Sequence, residues 1–127
     1  MSETDLQRAI LEALAARGYW AMRVNSGARP IAATGSNARR MIRLAPPGTP
    51  DVLVIKPYCW LEVKLAKGRL TDYQSAWHAR AQAAKVRAAV VRSVSEALRY
   101  VDQCAKEDRV KEAAVACPVE RCPLEDP

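Results

Sequence analysis

The chain has a single histidine, His78, and four cysteines, Cys59, Cys104, Cys117 and Cys122. That supply is too sparse and too widely spaced for a structural zinc site, whose ligands come in close pairs. Cys59 falls in an apolar run and reads as a small buried hydrophobe, and free thiols are the default expectation for the rest. No apolar stretch reaches the roughly 18 residues of a spanning helix, so no membrane span is expected. The first residues are polar and acidic and carry no signal-peptide pattern, which sets cytoplasmic localisation as the expectation. No internal repeat is visible.

What remains is an ordinary apolar content and an uneven charge. Hydrophobic residues make up 50% of the 127 positions, enough for one folded domain with one modest core. The net charge is +6. Residues 1–92 hold 15 Lys and Arg against 6 Asp and Glu, a balance of +9, whereas residues 93–127 hold 5 against 8, a balance of −3. Arg outnumbers Lys by 14 to 6. Guanidinium grips phosphate bidentately, so this composition suits a polyanionic partner without naming one.

The basic part of the chain surrounds its most informative stretch, residues 48–64, GTPDVLVIKPYCWLEVK. Val52–Ile55 and Cys59–Val63 are β-rich runs on either side of a short connection, so they predict a hairpin. A turn at Lys56-Pro57 pairs Asp51 with Glu62, and a turn centred between Pro57 and Tyr58 pairs Asp51 with Lys64. Cross-strand partners share a face, as do residues two apart on one strand. Both registers therefore place Asp51, Glu62 and Lys64 together, while a one-residue slip turns Asp51 away. Two carboxylates of this kind, with phosphate and water, suffice to hold Mg²⁺ or Mn²⁺. A lysine beside them can orient a water or stabilise charge on a phosphate. An isolated Glu-x-Lys reads as a strand-edge ion pair. The Gly-x-Pro-Asp at hairpin spacing points instead to metal-dependent phosphodiester cleavage.

These residues resemble the PD-(D/E)xK nuclease superfamily, through Pro50-Asp51 and Glu62-Val63-Lys64. Within it they are most similar to the VRR-NUC family, the virus-type replication–repair nucleases. That family shows a Glu in a first helix, G-x-P-D, E-x-K and a Gln in the next helix. Here these correspond to Glu3, Gly48-Thr49-Pro50-Asp51, Glu62-Val63-Lys64 and Gln74. The closing AAVVRS before a last helix also looks like the family, and the resemblance covers roughly residues 2–103. It implies a restriction-endonuclease-like α/β core with a mixed sheet flanked by helices, and Mg²⁺- or Mn²⁺-dependent DNA cleavage. It further implies metal ligation by Asp51, Glu62 and the Val63 carbonyl, with Lys64 serving the attacking water and Glu3 and Gln74 as further site members. Its small stand-alone members imply a homodimer that cuts branched DNA such as four-way junctions, in a bacterial or phage-infected cell. A restriction-type or end- and flap-processing nuclease is the alternative activity. A non-catalytic nucleic-acid-binding module of the same fold is the alternative class.

The flanks read as follows. Residues 4–17 carry an amphipathic helical stripe, Leu6, Ala9, Ile10, Ala13 and Leu14, with Thr4 and Gln7 as a capping box. Glu3 lies in line with the core-facing side, and its plain alternative is a partner of the helix dipole. Tyr19–Val24 predict a strand. Residues 25–40 are rich in Gly, Ser, Asn and Arg and predict a mobile loop, with Met41–Leu44 a short strand after it. Arg29, Arg39, Arg40 and Arg43 there, with Lys67 and Arg69 beyond Lys64, are the candidate DNA-backbone contacts. Thr71–Lys85 predict a helix with Tyr73, Ala76, Trp77, Ala81 and Ala84 inward. Gln74 has a bland reading too, as the partner of Thr71 in a capping box. His78, one turn on, reads as exposed. Ala88–Val91 predict a strand parallel to the one carrying Glu62, and Ser93-x-x-Glu96 starts a last helix. The order is αβββαβα, with a nuclease-like domain at residues 1–105 and a charged, Pro-containing tail at residues 106–127 expected to be frayed and poorly ordered.

Overall fold

The two β-rich runs at the centre of the chain become the two middle strands of a sheet. The computed structural model describes the backbone of residues 1–24, 27–31 and 40–120, and the side chains of residues 1–24 and 45–114. Along the chain run α1 (Glu3–Ala16), β1 (Trp20–Arg23), β2 (Gly27–Ile31), β3 (Arg40–Ala45), β4 (Val52–Lys56), β5 (Cys59–Val63), α2 (Asp72–Ala83), β6 (Ala88–Val91) and α3 (Val94–Glu120). A four-stranded mixed sheet has the order β1-β4-β5-β6, and β2 and β3 form a separate two-stranded sheet. β1–β4 and β4–β5 are antiparallel, whereas β5–β6 is parallel. A parallel pair needs a crossover, which α2 supplies.

Alternation along the strands separates two faces. One carries Val52, Val54, Cys59, Leu61, Val63 and Val91, and it packs on Leu6, Ile10 and Leu14 of α1 and on Ala97, Val101 and Cys104 of α3. Every one of these side chains is at most 4% exposed. Burying each Leu, Ile or Val stabilises the fold by about 1.5–3 kcal/mol. The other face carries Leu53, Trp60, Glu62 and Lys64 and looks toward α2, whose Trp77 meets Trp60 edge to face with centroids 5.3 Å apart.

Side-chain anchors fix the helices. Arg87 donates to both carboxylate oxygens of Asp108, at 2.9 and 3.1 Å, and to the Tyr58 carbonyl at 2.8 Å, which ties α3 to the β4–β5 turn. Asp102 of α3 pairs with Arg17 and accepts from the Tyr19 hydroxyl. Both α1 and α2 end in a pair of bonds that wraps the last turn: Tyr19 N–H to Leu14 with Gly18 N–H to Ala15, and Val86 N–H to Ala81 with Lys85 N–H to Gln82.

Four expectations need correction. The cap of α1 is Ser2 with Asp5, in reciprocal bonds of 3.1 Å, not Thr4 with Gln7. Starting the helix earlier frees Gln7 to turn inward, where it is 6% exposed. Within residues 25–40, expected to be a loop, Gly27–Ile31 pair with Arg40–Ala45. Pro30 is tolerated because each strand of a two-stranded ribbon is an edge. Of the inward set on α2 only Ala81 is buried; Trp77 is half-buried, and Tyr73, Ala76 and Ala84 are exposed. A single sheet face with one large contact, Trp60, covers only a narrow stripe of that helix. Finally, α3 does not fray after residue 105 but continues to Glu120. Residues 106–116, KEDRVKEAAVA, are mostly strong helix formers, and Asp108 is anchored by Arg87. Residues 121–127, Cys122 among them, lie outside the described residues.

One glycine sets the approach to the central hairpin. Residues 46–49 form a turn in which Thr49 N–H donates to the Pro46 carbonyl at 3.2 Å and Gly48 has a φ of +88°. Proline second and glycine third is the type II pattern. A Cβ on Gly48 would lie 2.2 Å from the Tyr73 carbonyl oxygen, so the turn presses on the first turn of α2. Gly18 has the same backbone sign, φ +86°, with open space around it. Gly18→Ala should therefore cost only its left-handed conformation, about 1–2 kcal/mol. Gly48→Ala adds a backbone clash and should cost about 3 kcal/mol or more. Urea-denaturation midpoints measure the difference, and equal losses would show that the turn does not bear on α2.

Candidate active site

The ladder of the central hairpin pairs Val52 with Leu61 and Val54 with Cys59. This is the first of the two registers, and it sets Asp51 opposite Glu62. Trp60 and Lys64 donate their N–H groups to β6-side carbonyls, those of Arg87 and Val91, so Leu61 and Val63 present their backbone groups to β4. Val52–Leu61 is then a hydrogen-bonded pair and Asp51–Glu62 a non-hydrogen-bonded one, the kind that brings side chains closest. The next hydrogen-bonded pair would be Pro50 with Val63. Proline has no N–H to give the Val63 carbonyl. The Val63 N–H is taken by Asp51 Oδ2 at 3.0 Å. On its other side, the Asp51 carbonyl accepts from Val24 N–H at 2.7 Å. Asp51 is thus fixed from both flanking strands.

Glu62 is 1% exposed and Lys64 is 8% exposed. Glu62 Oε1 is buried with no hydrogen-bond partner among the described residues. Burial pushes the Glu62 carboxyl up to about 9, aided by a hydrogen bond to Asp51 and by the Asp51 charge; Lys64 opposes the shift, and Glu3 adds a last, smaller push upward. Burial and the neighbouring Asp51 charge therefore favour the protonated form of Glu62 when no cation is present. The loop after Lys64 is clamped by Arg92, whose Nη1 donates to the carbonyls of Leu65 at 2.6 Å and Gly68 at 2.7 Å. Lys67 and Arg69 on that loop are exposed.

The other candidates scatter. Glu3 opens α1, half-buried, and its charge reaches Glu62. Gln74 is held in the cap of α2: its Oε1 accepts from Thr71 N–H at 2.8 Å, and its own N–H donates to Thr71 Oγ1 at 3.2 Å. Arg29 lies in β2 and Arg40 and Arg43 in β3, while Arg39 lies outside the described residues. His78 is half-buried, not exposed; its Nε2 has no partner among the described residues, and burial lowers its pKa. Sequence reasoning missed two residues. Gln7 sits one turn after Glu3 on the same buried side, with Oε1 unpartnered among the described residues, and that spacing was its available signal. Arg92 gave no signal, because its partners are backbone carbonyls 24 to 27 positions away.

The donor set has a definite chemistry. Among the described residues no three His, Cys, Asp or Glu side chains group as a metal cage. Two carboxylates, one with an unpartnered oxygen, and a carbonyl that Pro50 cannot satisfy fit a hard cation that completes its shell with water and phosphate. They do not fit zinc. No family model, curated protein or solved structure matches the chain.

The raised Glu62 pKa makes a stability prediction. Its unfolded value is near 4.5 and its folded value about 9. Between those limits the folded state binds more protons, so stability falls as pH rises. In EDTA, the wild-type melting temperature should drop from pH 5 to pH 8.5 by several degrees more than that of Glu62→Gln, which has no proton to lose. Parallel pH profiles would mean that Glu62 is ionised in the folded chain.

Proposed function

We propose that the chain is a metal-dependent DNA endonuclease with a restriction-endonuclease-like core, of the VRR-NUC type, acting as a homodimer on branched DNA such as four-way junctions. The observation that carries this reading is the pairing of half-buried Asp51 with fully buried Glu62, opposite one another at the end of a ladder, with Lys64 on the same sheet face. A buried carboxylate beside a second one is costly unless something shares its charge. DNA binding alone gains nothing from it, because carboxylates repel phosphate.

Asp51, Glu62 and the Val63 carbonyl are the groups that would hold Mg²⁺ or Mn²⁺. Such an ion supplies a more acidic water and neutralises charge on the phosphate under attack. Asp51 is kept in place by Val63 N–H and Val24 N–H, so its carboxylate needs little reorganisation on binding a ligand. Glu62 would have to be ionised, its proton passing to solvent, to serve as one of those groups. Lys64 orients the attacking water and balances negative charge growing on the phosphate oxygens. Arg92 holds the loop beyond Lys64 and so limits its movement, and exposed Lys67 and Arg69 offer positive charge to the flanking phosphates. Glu3 adds a negative charge at the rim, whereas Gln74 acts through the cap of α2. Two copies on a two-fold axis would match the symmetry of a four-way junction.

Cleavage of matched linear, nicked, flap and four-way DNA, with Mg²⁺, Mn²⁺ or EDTA, tests this directly. The four-way substrate should be cut fastest, and EDTA should stop cutting. Asp51→Ala and Glu62→Ala should each lower the single-turnover rate about 10³-fold, the loss of several kcal/mol of transition-state stabilisation. Lys64→Ala should slow the chemical step more than it weakens binding. Equal cutting of every substrate removes the junction selectivity alone. Full turnover in the Asp51 and Glu62 variants removes the metal site.

A further inference from the structure

The sheet face that bears Glu62 and Lys64 continues into a row of aromatic side chains. Trp60 lies two residues before Glu62 on β5, so the two point to the same side about 7 Å apart along the strand. Trp60 Nε1–H donates to the Tyr58 hydroxyl at 2.8 Å. Tyr58 and Trp60 meet edge to face at 6.4 Å and 80°, and Trp60 and Trp77 at 5.3 Å and 64°. Each edge-to-face contact covers at most one face of a ring, and Trp77 also meets His78 edge to face at 5.5 Å and 74°. Tyr58 is 48% exposed. Beside the row is a hollow of about 360 Å³, with walls including Pro46, Tyr58, Trp60, Trp77 and Arg80 and no carboxylate in its lining. Pro46 is the first residue of the turn that leads to Asp51.

We infer that this hollow is a base-stacking subsite that takes one unpaired nucleobase of the DNA strand entering the site. Three features select this occupant. Aromatic faces stack on any base, whatever its identity. Exposed Arg80 supplies the positive charge that a flanking phosphate requires, and no acid in the lining opposes it. Trp60, which lines the hollow, and Glu62 lie two residues apart on one face of β5, so a strand whose phosphate reached Glu62 would carry its neighbouring base past Trp60. A fully paired duplex keeps its bases stacked inside and cannot fill the hollow, whereas a branch point or gap can. The inference rests on the nuclease reading for the strand's path and deepens it: the substrate class becomes DNA with an unpaired base next to the scissile phosphate.

The test is equilibrium binding in EDTA, where no cutting occurs, to a gapped duplex carrying thymidine or an abasic residue in the gap, and to the same duplex fully paired. Tyr58→Ala is the principal variant, since its exposed ring is not needed for packing α2. Trp77→Ala and Trp77→Phe accompany it, with melting curves to exclude unfolded protein. Tyr58→Ala and Trp77→Ala should weaken binding of the gapped thymidine duplex about tenfold. Trp77→Phe should lose less, and fully paired duplex should be bound equally by all. The abasic gap should weaken wild-type binding by the same factor and cause no further loss in Tyr58→Ala. Fluorescence of Trp60 and Trp77, read in a Trp20→Phe background, should be quenched by the gapped thymidine duplex only. Equal affinity for thymidine and abasic gaps, or additive losses in the cycle, would overturn the subsite. Base-dependent binding without cleavage in Mg²⁺ would uphold the subsite while removing the nuclease reading, and cleavage without base dependence would do the reverse.

Discussion

One hydrogen bond organises the centre of the molecule: Val63 N–H to Asp51 Oδ2, at the point where the β4–β5 ladder stops. A proline at position 50 ends the ladder by removing a donor, and the aspartate after it takes over the free N–H with its side chain. The substitution does three things together. It fixes a carboxylate rigidly at a strand end, it keeps that carboxylate opposite Glu62, and it leaves the Val63 carbonyl without the partner that regular pairing would provide. The Pro-Asp dipeptide is thereby a structural device before it is a chemical one.

The electrostatics follow from that placement. Glu62 is fully buried on the α2 side of the sheet, next to a second carboxylate and a lysine. Such a group holds a proton when nothing else neutralises it, and a divalent cation is the natural replacement for that proton. The surroundings are built to keep the arrangement in place. Arg92 gathers the carbonyls of the following loop, Gly48 lets the preceding turn press on α2, and Arg87 ties α3 to the far end of the hairpin. Each of these contacts lies outside the carboxylate pair, yet each limits how far its strands can move.

The parts of the fold that a sequence reader can see are those with strong periodicity. The β4–β5 hairpin, the parallel β6 and a mixed sheet flanked by helices were legible because alternating apolar residues and short connections leave few choices. The register was open between two alternatives, because proline permits either turn; the shared face survived because both alternatives keep the same parity. What escaped was decided by distant contacts or by weak patterns. Gln74 satisfies two readings, and the reciprocal bonds with Thr71 are what the structure shows. The β2–β3 pairing hides in a segment whose Gly, Pro and Arg resemble a loop. The extension of α3 depends on helix-forming residues whose high charge reads as disorder, and on an anchor, Arg87, many positions earlier. The aromatic row of Tyr58, Trp60 and Trp77 spans two elements and exists only once α2 has crossed the sheet.

The central claim is that Asp51 and Glu62 together hold a hard divalent cation in place of the proton that burial favours on Glu62. Titration calorimetry of Mn²⁺ into the protein at pH 7, in two buffers of different ionisation enthalpy, tests it most directly. The account predicts about one ion bound per chain and close to one proton released, with binding lost in Asp51→Ala and proton release abolished in Glu62→Gln. Binding that is unaffected by either substitution, or that releases no proton, would contradict it.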